Sequence, residues 1–174
     1  MATTVLVSII CSDRVGLIST VTGELFDIGV NLGDTTFAVL GGCAEFTAVC
    51  SLPDDITMDL LNAGLQTLDV LKDAEIAISR FDLSAAHGET ALITHRISVK
   101  GGDRPGLIAR LSEVFIQFEA NIVRLNSNGV PGGAEDQYEV RISAWIPPKN
   151  AKTCLATIAN TAGELQLSCS WDEA

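Results

Sequence analysis

A five-residue segment occurs twice in the chain, as Asp13-Arg14-Val15-Gly16-Leu17 and as Asp103-Arg104-Pro105-Gly106-Leu107. Each copy sets a carboxylate, a guanidinium and a glycine directly ahead of an apolar helical pattern. A helix start presents unpaired N–H groups and positive potential, which suit a carboxylate. A glycine there lets a ligand touch the backbone. The aspartate has the opposite preference, repelling a carboxylate and attracting an ammonium. Fifteen residues past each glycine stands an asparagine, Asn31 and Asn121, whose amide donates and accepts. The plainer reading is structural: Asp caps the helix, Pro105 sits in the first turn and glycine permits tight packing, at ~1 kcal/mol per cap. On local sequence alone that reading is favoured.

These residues belong to a longer repeat. A shift of 90 residues aligns Ser8, Asp13, Arg14, Gly16, Leu17, Ile18 and Asn31 with Ser98, Asp103, Arg104, Gly106, Leu107, Ile108 and Asn121. Coincidence between two apolar segments does not explain matches at Asp, Arg, Gly and Asn. Each copy alternates between strand and helix periods. In the first, Thr4 to Cys11 is a β-branched run, and Leu17, Ile18, Val21, Leu25 and Ile28 recur at helical spacing. Asn31 to Leu40 and Cys43 to Leu52 read as a hairpin about Gly41-Gly42. Leu60, Leu61, Leu65, Leu68 and Leu71 mark a second helix, and Ala74 to Phe81 a closing strand. The second copy repeats the order with a strand at Leu92 to Lys100, a helix through Leu107, Leu111, Phe115 and Phe118, and a strand from Asn121. Asn126 to Glu135 reads as a longer, mobile loop. Tyr138, Val140, Ile142, Ala144 and Ile146 alternate beyond it, and a helix from about Lys149 to Gly163 and a strand from Glu164 to Trp171 follow. The expected fold is α+β, two tandem ferredoxin-like βαββαβ units, each a four-stranded antiparallel sheet with both helices on one face. The expected boundaries are 1–82 and 92–174 with a polar linker at 83–91. Each unit leaves a bare sheet face or edge to be covered by the other unit or by a partner chain, so a homodimer is compatible with the pattern.

Composition restricts function. The 174 residues are 47% hydrophobic and 19% charged, enough to bury a core. The net charge of −11 opposes a nucleic-acid backbone, so no direct nucleic-acid partner is expected. The longest apolar runs fall far short of the ~20 residues of a membrane helix, so no membrane partner is expected. No basic residue precedes the first apolar run, and the start reads as that of the mature protein rather than a secretory signal. The five cysteines form no CxxC pair and read as reduced, buried thiols of a cytoplasmic protein. No cluster of His, Cys, Asp and Glu has metal-ligand spacing and no nucleophile elbow or P-loop occurs, so no metal, cofactor or catalytic residue is assigned. His87 and His95 are given solvated or structural roles, and Trp145 and Trp171 core packing in preference to a module interface.

The duplicated loop and its asparagine, set in βαββαβ units, resemble the ACT domain, a regulatory module of amino-acid metabolism. The resemblance covers nearly the whole chain. It implies that Asp13, Arg14, Gly16, Leu17 and Asn31, with Asp103, Arg104, Gly106, Leu107 and Asn121, line amino-acid sites at interfaces between modules. Two modules with nothing attached are most similar to the glycine cleavage system transcriptional repressor group, which implies action through a protein partner. Val15 stands where the family usually has proline, and Gly101-Gly102 replaces Cys11-Ser12, so the two sites need not share a ligand. Two other functions use related folds. An acylphosphatase-type enzyme would place an Arg-tipped loop on a phosphate, which Asp13 and Asp103 disfavour. An RNA-recognition module would need exposed aromatics on its central strands. A purely structural interaction module requires none of these groups.

Overall fold

The computed structural model describes residues 3–84, 86–130 and 137–174. The chain divides into two compact units, Met1–Leu83 and Ser84–Ala174. The first runs β1 (Thr3–Ser12), α1 (Leu17–Asp27), β2 (Asn31–Leu40), β3 (Cys43–Leu52), α2 (Met58–Gln66), a 3-10 turn at Asp69–Leu71 and β4 (Glu75–Arg80). The second opens with a 3-10 turn at Glu89–Ala91 and continues with β5 (His95–Gly102), α3 (Leu107–Gln117), β6 (Asn121–Val130), β7 (Gln137–Trp145), α4 (Ala151–Glu164) and β8 (Ser168–Glu173). The sheets are ordered β2-β3-β1-β4 and β6-β7-β5-β8, and every strand pair is antiparallel. Both units are ferredoxin-like.

Period-two alternation gives each sheet one apolar face. Val5, Val7, Ile9 and Cys11 of β1 share a face with Ala44, Phe46, Ala48 and Cys50 of β3, and Leu17, Val21 and Leu25 of α1 and Leu61 and Leu65 of α2 pack over them. Burial of these side chains at ~25 cal/mol per Å² is the main force holding the unit together. The second core repeats the plan with Ile97, Val99, Val140 and Ile142 beneath Leu107, Leu111, Phe115, Cys154 and Ile158. His95 is buried beside Thr94, whose Oγ1 lies 2.9 Å from Nδ1.

Four expectations need correction. The second helix ends at Gln66, because Thr67 turns back on Gly64 O with both its amide (3.1 Å) and its hydroxyl (2.7 Å), a tightening typical of a helix terminus. Leu68 is extended and Leu71 closes the 3-10 turn that follows, and Leu60 faces solvent. Asn126 to Val130 is strand, in register with Arg141 to Gln137 of β7. The remainder of the expected loop, to Glu135, lies outside the described residues apart from this stretch. Trp171 is 42% exposed on edge strand β8 and is not a core residue.

Candidate ligand-binding site

The repeated glycines shape the loop between the first strand and first helix of each unit. Gly16 has φ +86° and Gly106 φ +78°, left-handed conformations that an L side chain resists. Each is the residue immediately before a helix, and no side chain caps either helix start. Asp13 and Asp103 therefore do not cap, contrary to the plainer sequence reading. Both are exposed, and the Asp13 amide instead donates to Gly42 O at 3.0 Å, tying the loop to the β2–β3 turn. The Leu17 amide donates back to Arg14 O at 3.2 Å and the Thr20 amide to Gly16 O at 2.9 Å. A Cβ added at Gly16 or Gly106 would meet nothing within 4 Å, so the backbone at the helix start is open to approach. Leu17 and Leu107 are buried, leaving their backbone as the part a ligand could reach.

The arginines tie the loops down. Arg14 donates from Nη1 to Val70 O at 2.5 Å and pairs through Nη2 with Asp73 Oδ1 at 2.6 Å. Asp73 also accepts from the Ser12 hydroxyl and, at 3.2 Å, from the Ser12 amide. The Ser12 and Arg14 hydrogen bonds hold the Asp73 carboxyl down to about 2. Arg104 makes a similar tether, Nε to Leu165 O at 3.3 Å. In both units the guanidinium fastens the loop to the segment between the second helix and the last strand. Ser12, Val70 and Asp73 escaped sequence reasoning because they do not repeat: the position 90 residues after Asp73 is Gly163.

Asn31 and Asn121 are placed elsewhere. Asn31 shares a cross-strand row with Ser51 and Thr4, at the start of β1, whereas the loop follows Ser12 at its end. Eight residues of strand at ~3.3 Å each put the two about 26 Å apart. The second unit has the same layout, with Asn121 opposite Trp145 and the loop beyond Gly102. Asn121 Nδ2 donates to Thr90 O at 2.8 Å, while Asn31 is exposed. Within one unit the structure brings Asp, Arg, Gly and Leu together and leaves Asn at the far end of an edge strand.

Among the described residues no group of three or more His, Cys, Asp or Glu is placed to hold a metal, and no helix is long and apolar enough to cross a membrane. All five cysteines are free thiols. Burial pushes Cys50 and Cys154 up to about 11.

No family model matches the sequence, and no curated protein matches it. Solved structures do match the fold. A protein of unknown function from Galdieria sulphuraria superposes with TM-score 0.77 at 20% identity, covering 100% of this chain and 99% of its own. A protein named as a glycine cleavage system transcriptional repressor superposes with TM-score 0.69 at 16% identity, covering 100% and 98%. An ACT domain protein from Streptococcus pneumoniae covers 46% of this chain and 91% of its own, with TM-score 0.41 and 20% identity. Over its full length the chain shares the fold of the first two of these structures, two tandem ferredoxin-like units.

Proposed function

We propose that this chain is a regulatory protein that senses a small amino acid at its β1–α1 and β5–α3 loops and passes the signal to a protein partner, in the control of glycine or other amino-acid metabolism. The observation that carries the reading is the duplicated loop: in both units a left-handed glycine opens the backbone at an uncapped helix start, beside an exposed aspartate. The helix start suits the carboxylate of an amino acid and the aspartate its ammonium. Because Asn31 and Asn121 lie about 26 Å from the loop of their own unit, a site that uses both needs a neighbouring module, and β2 and β6 are edge strands with free backbone groups for such a pairing. The fold match to the repressor supports the regulatory assignment. An acylphosphatase-type enzyme fits less well, since Arg14 is committed to Asp73 and Val70 and a carboxylate occupies the loop. We assign no catalytic residue, cofactor or metal.

A thermal-shift screen of the twenty amino acids tests the reading, because a ligand specific to the native state raises the midpoint by mass action. A ligand of this size binds in roughly the micromolar to millimolar range. Calorimetric titration of the hit into Asp13→Asn, Asp103→Asn and the double variant follows. Affinity should fall while stability without ligand stays unchanged, and Asp→Ala should behave as Asp→Asn does, since neither aspartate caps a helix. No stabilising amino acid, or equal affinity in all variants, overturns it.

A further inference from the structure

The two sheets differ on the faces turned away from their helices. In the second unit that face carries Arg96 and Lys100 from β5, Arg124 from β6 and Arg141 from β7, four of the 11 Lys and Arg residues of the chain. Among the described residues its carboxylates are Glu139 and Asp172, so the described face has four positive charges against two negative, a net of +2 on a chain of net charge −11. The corresponding face of the first unit, read from β1, β3 and β4, includes Leu6, Ser8, Ile10, Glu45, Thr47, Val49, Glu75, Ala77 and Ser79, with no Lys or Arg. The fold does not require the arginines, because its other copy does without them.

Register places the cationic groups around one hollow. Arg124 lies opposite Ser143, Ser143 opposite Arg96, and Arg96 opposite Asp172. The next row on this face is Asn126, Arg141, Ser98 and Ser170. A cavity of about 270 Å³ opens between these rows. Arg124 reaches this face only because of a bulge: the register shifts between Ile122, which faces the core opposite Ala144, and Arg124. Without the extra residue Arg124 would point at the helices. Glu139 is nearly buried and binds Ser98 Oγ at 2.8 Å, Lys100 Nζ at 3.2 Å and Arg141 Nη2 at 2.7 Å, which fixes Arg141 and consumes Lys100. Arg96 and Arg124 form no ion pair or side-chain hydrogen bond among the described residues.

We propose that this hollow binds a small organic anion bearing two or more oxyanion groups, a polycarboxylate or a phosphate ester. Guanidiniums present planar, paired donors that match carboxylate and phosphate oxygens; Arg141 is held in place by Glu139, and Arg96 and Arg124, unpaired among the described residues, repel one another until an anion lies between. Ser143 and Asn126 supply neutral donors on the floor. Asp172, next to Arg96, disfavours a monoanion placed on that side and orients the ligand toward Arg124 and Arg141. The site is separate from the β1–α1 and β5–α3 loops and stands whether or not those loops bind an amino acid.

The test uses the full chain with citrate and pyrophosphate as probes, each at about 10 mM, against sodium chloride of equal ionic strength. At least one probe should raise the thermal midpoint above the salt control, and which one does so identifies the oxyanion class. Arg124→Gln and Arg96→Gln should each weaken calorimetric affinity ~10-fold or more, a loss typical of a charge-assisted contact. Asp13→Asn should leave it unchanged, which separates this site from the loop. A Ser143→Val variant, which keeps a β-branched residue in β7, checks the floor. Equal midpoints in both probes and in salt, or full affinity in Arg124→Gln, overturn the proposal.

Discussion

Alanine at Gly16 isolates backbone conformation from packing. The glycine sits at φ +86° and ψ −3°, and an added methyl would meet no atom within 4 Å. No clash or buried contact therefore enters, and the cost is that of holding an L residue in the left-handed region, ~1–2 kcal/mol. Alanine also stiffens the unfolded chain, which returns ~0.4–1 kcal/mol, so the net destabilisation should be about 1 kcal/mol. For a unit of this size that corresponds to ~4–8 °C in midpoint. Asparagine tolerates the left-handed region better, so Gly16→Asn should lose less than Gly16→Ala although its side chain is larger. Gly106→Ala should match Gly16→Ala, since φ is +78° and the surroundings are equally open. Urea unfolding followed by circular dichroism measures all of these. An alanine variant as stable as the parent would refute the argument, as would an asparagine variant worse than alanine, the order expected from crowding.

Two further outcomes follow from titratable groups. Hydrogen bonds from Ser98 and Arg141 hold the Glu139 carboxyl down to about 2 from an ordinary 4.5, so its contribution to stability is present above that ordinary value and is lost as pH falls toward about 2. Glu139→Gln should flatten the dependence of the urea midpoint between about pH 6 and about pH 3, and a slope equal to the parent's would contradict the assignment. Cys50 and Cys154, fully buried with thiols near 11, should stay silent to an aromatic disulfide reagent in the native protein and react once it is unfolded; rapid native reaction of all five thiols would show that the cores open readily.

The β2–β3 hairpin of the first unit was legible because β3 alternates cleanly and Gly41-Gly42 marks the turn: the expected limits of both strands, Asn31 to Leu40 and Cys43 to Leu52, are the observed ones. Where alternation was absent the reading failed. Asn126 to Val130 is rich in Asn and Gly and reads as loop, yet backbone pairing to β7 makes it strand, since a ladder does not depend on side-chain preference when its partner is already in place. The loop residues were found through repetition, which marks position but not role: it could not show that Asp13 leaves the helix uncapped or that Arg14 turns to Asp73. The arginines of the second sheet were invisible for a different reason. Arg96, Arg124 and Arg141 are 28 and 17 residues apart in the sequence, and only register and a bulge bring them to one face.

That bulge bears on how two copies of one unit can diverge. A strand in a half-covered sheet carries two independent records, one in the residues facing the helices and one in those facing away, and a change in the second leaves the first untouched. The irregularity near the start of β6 has a counterpart in β2, between Leu32 and Thr35. Position 34 in the first copy is Asp, and its equivalent in the second, position 124, is Arg. One copy could thus reverse charge at this point while both kept the same apolar interior. The repeat holds the same scaffold twice, and the face of each sheet turned away from its helices is the part free to carry a chemistry of its own.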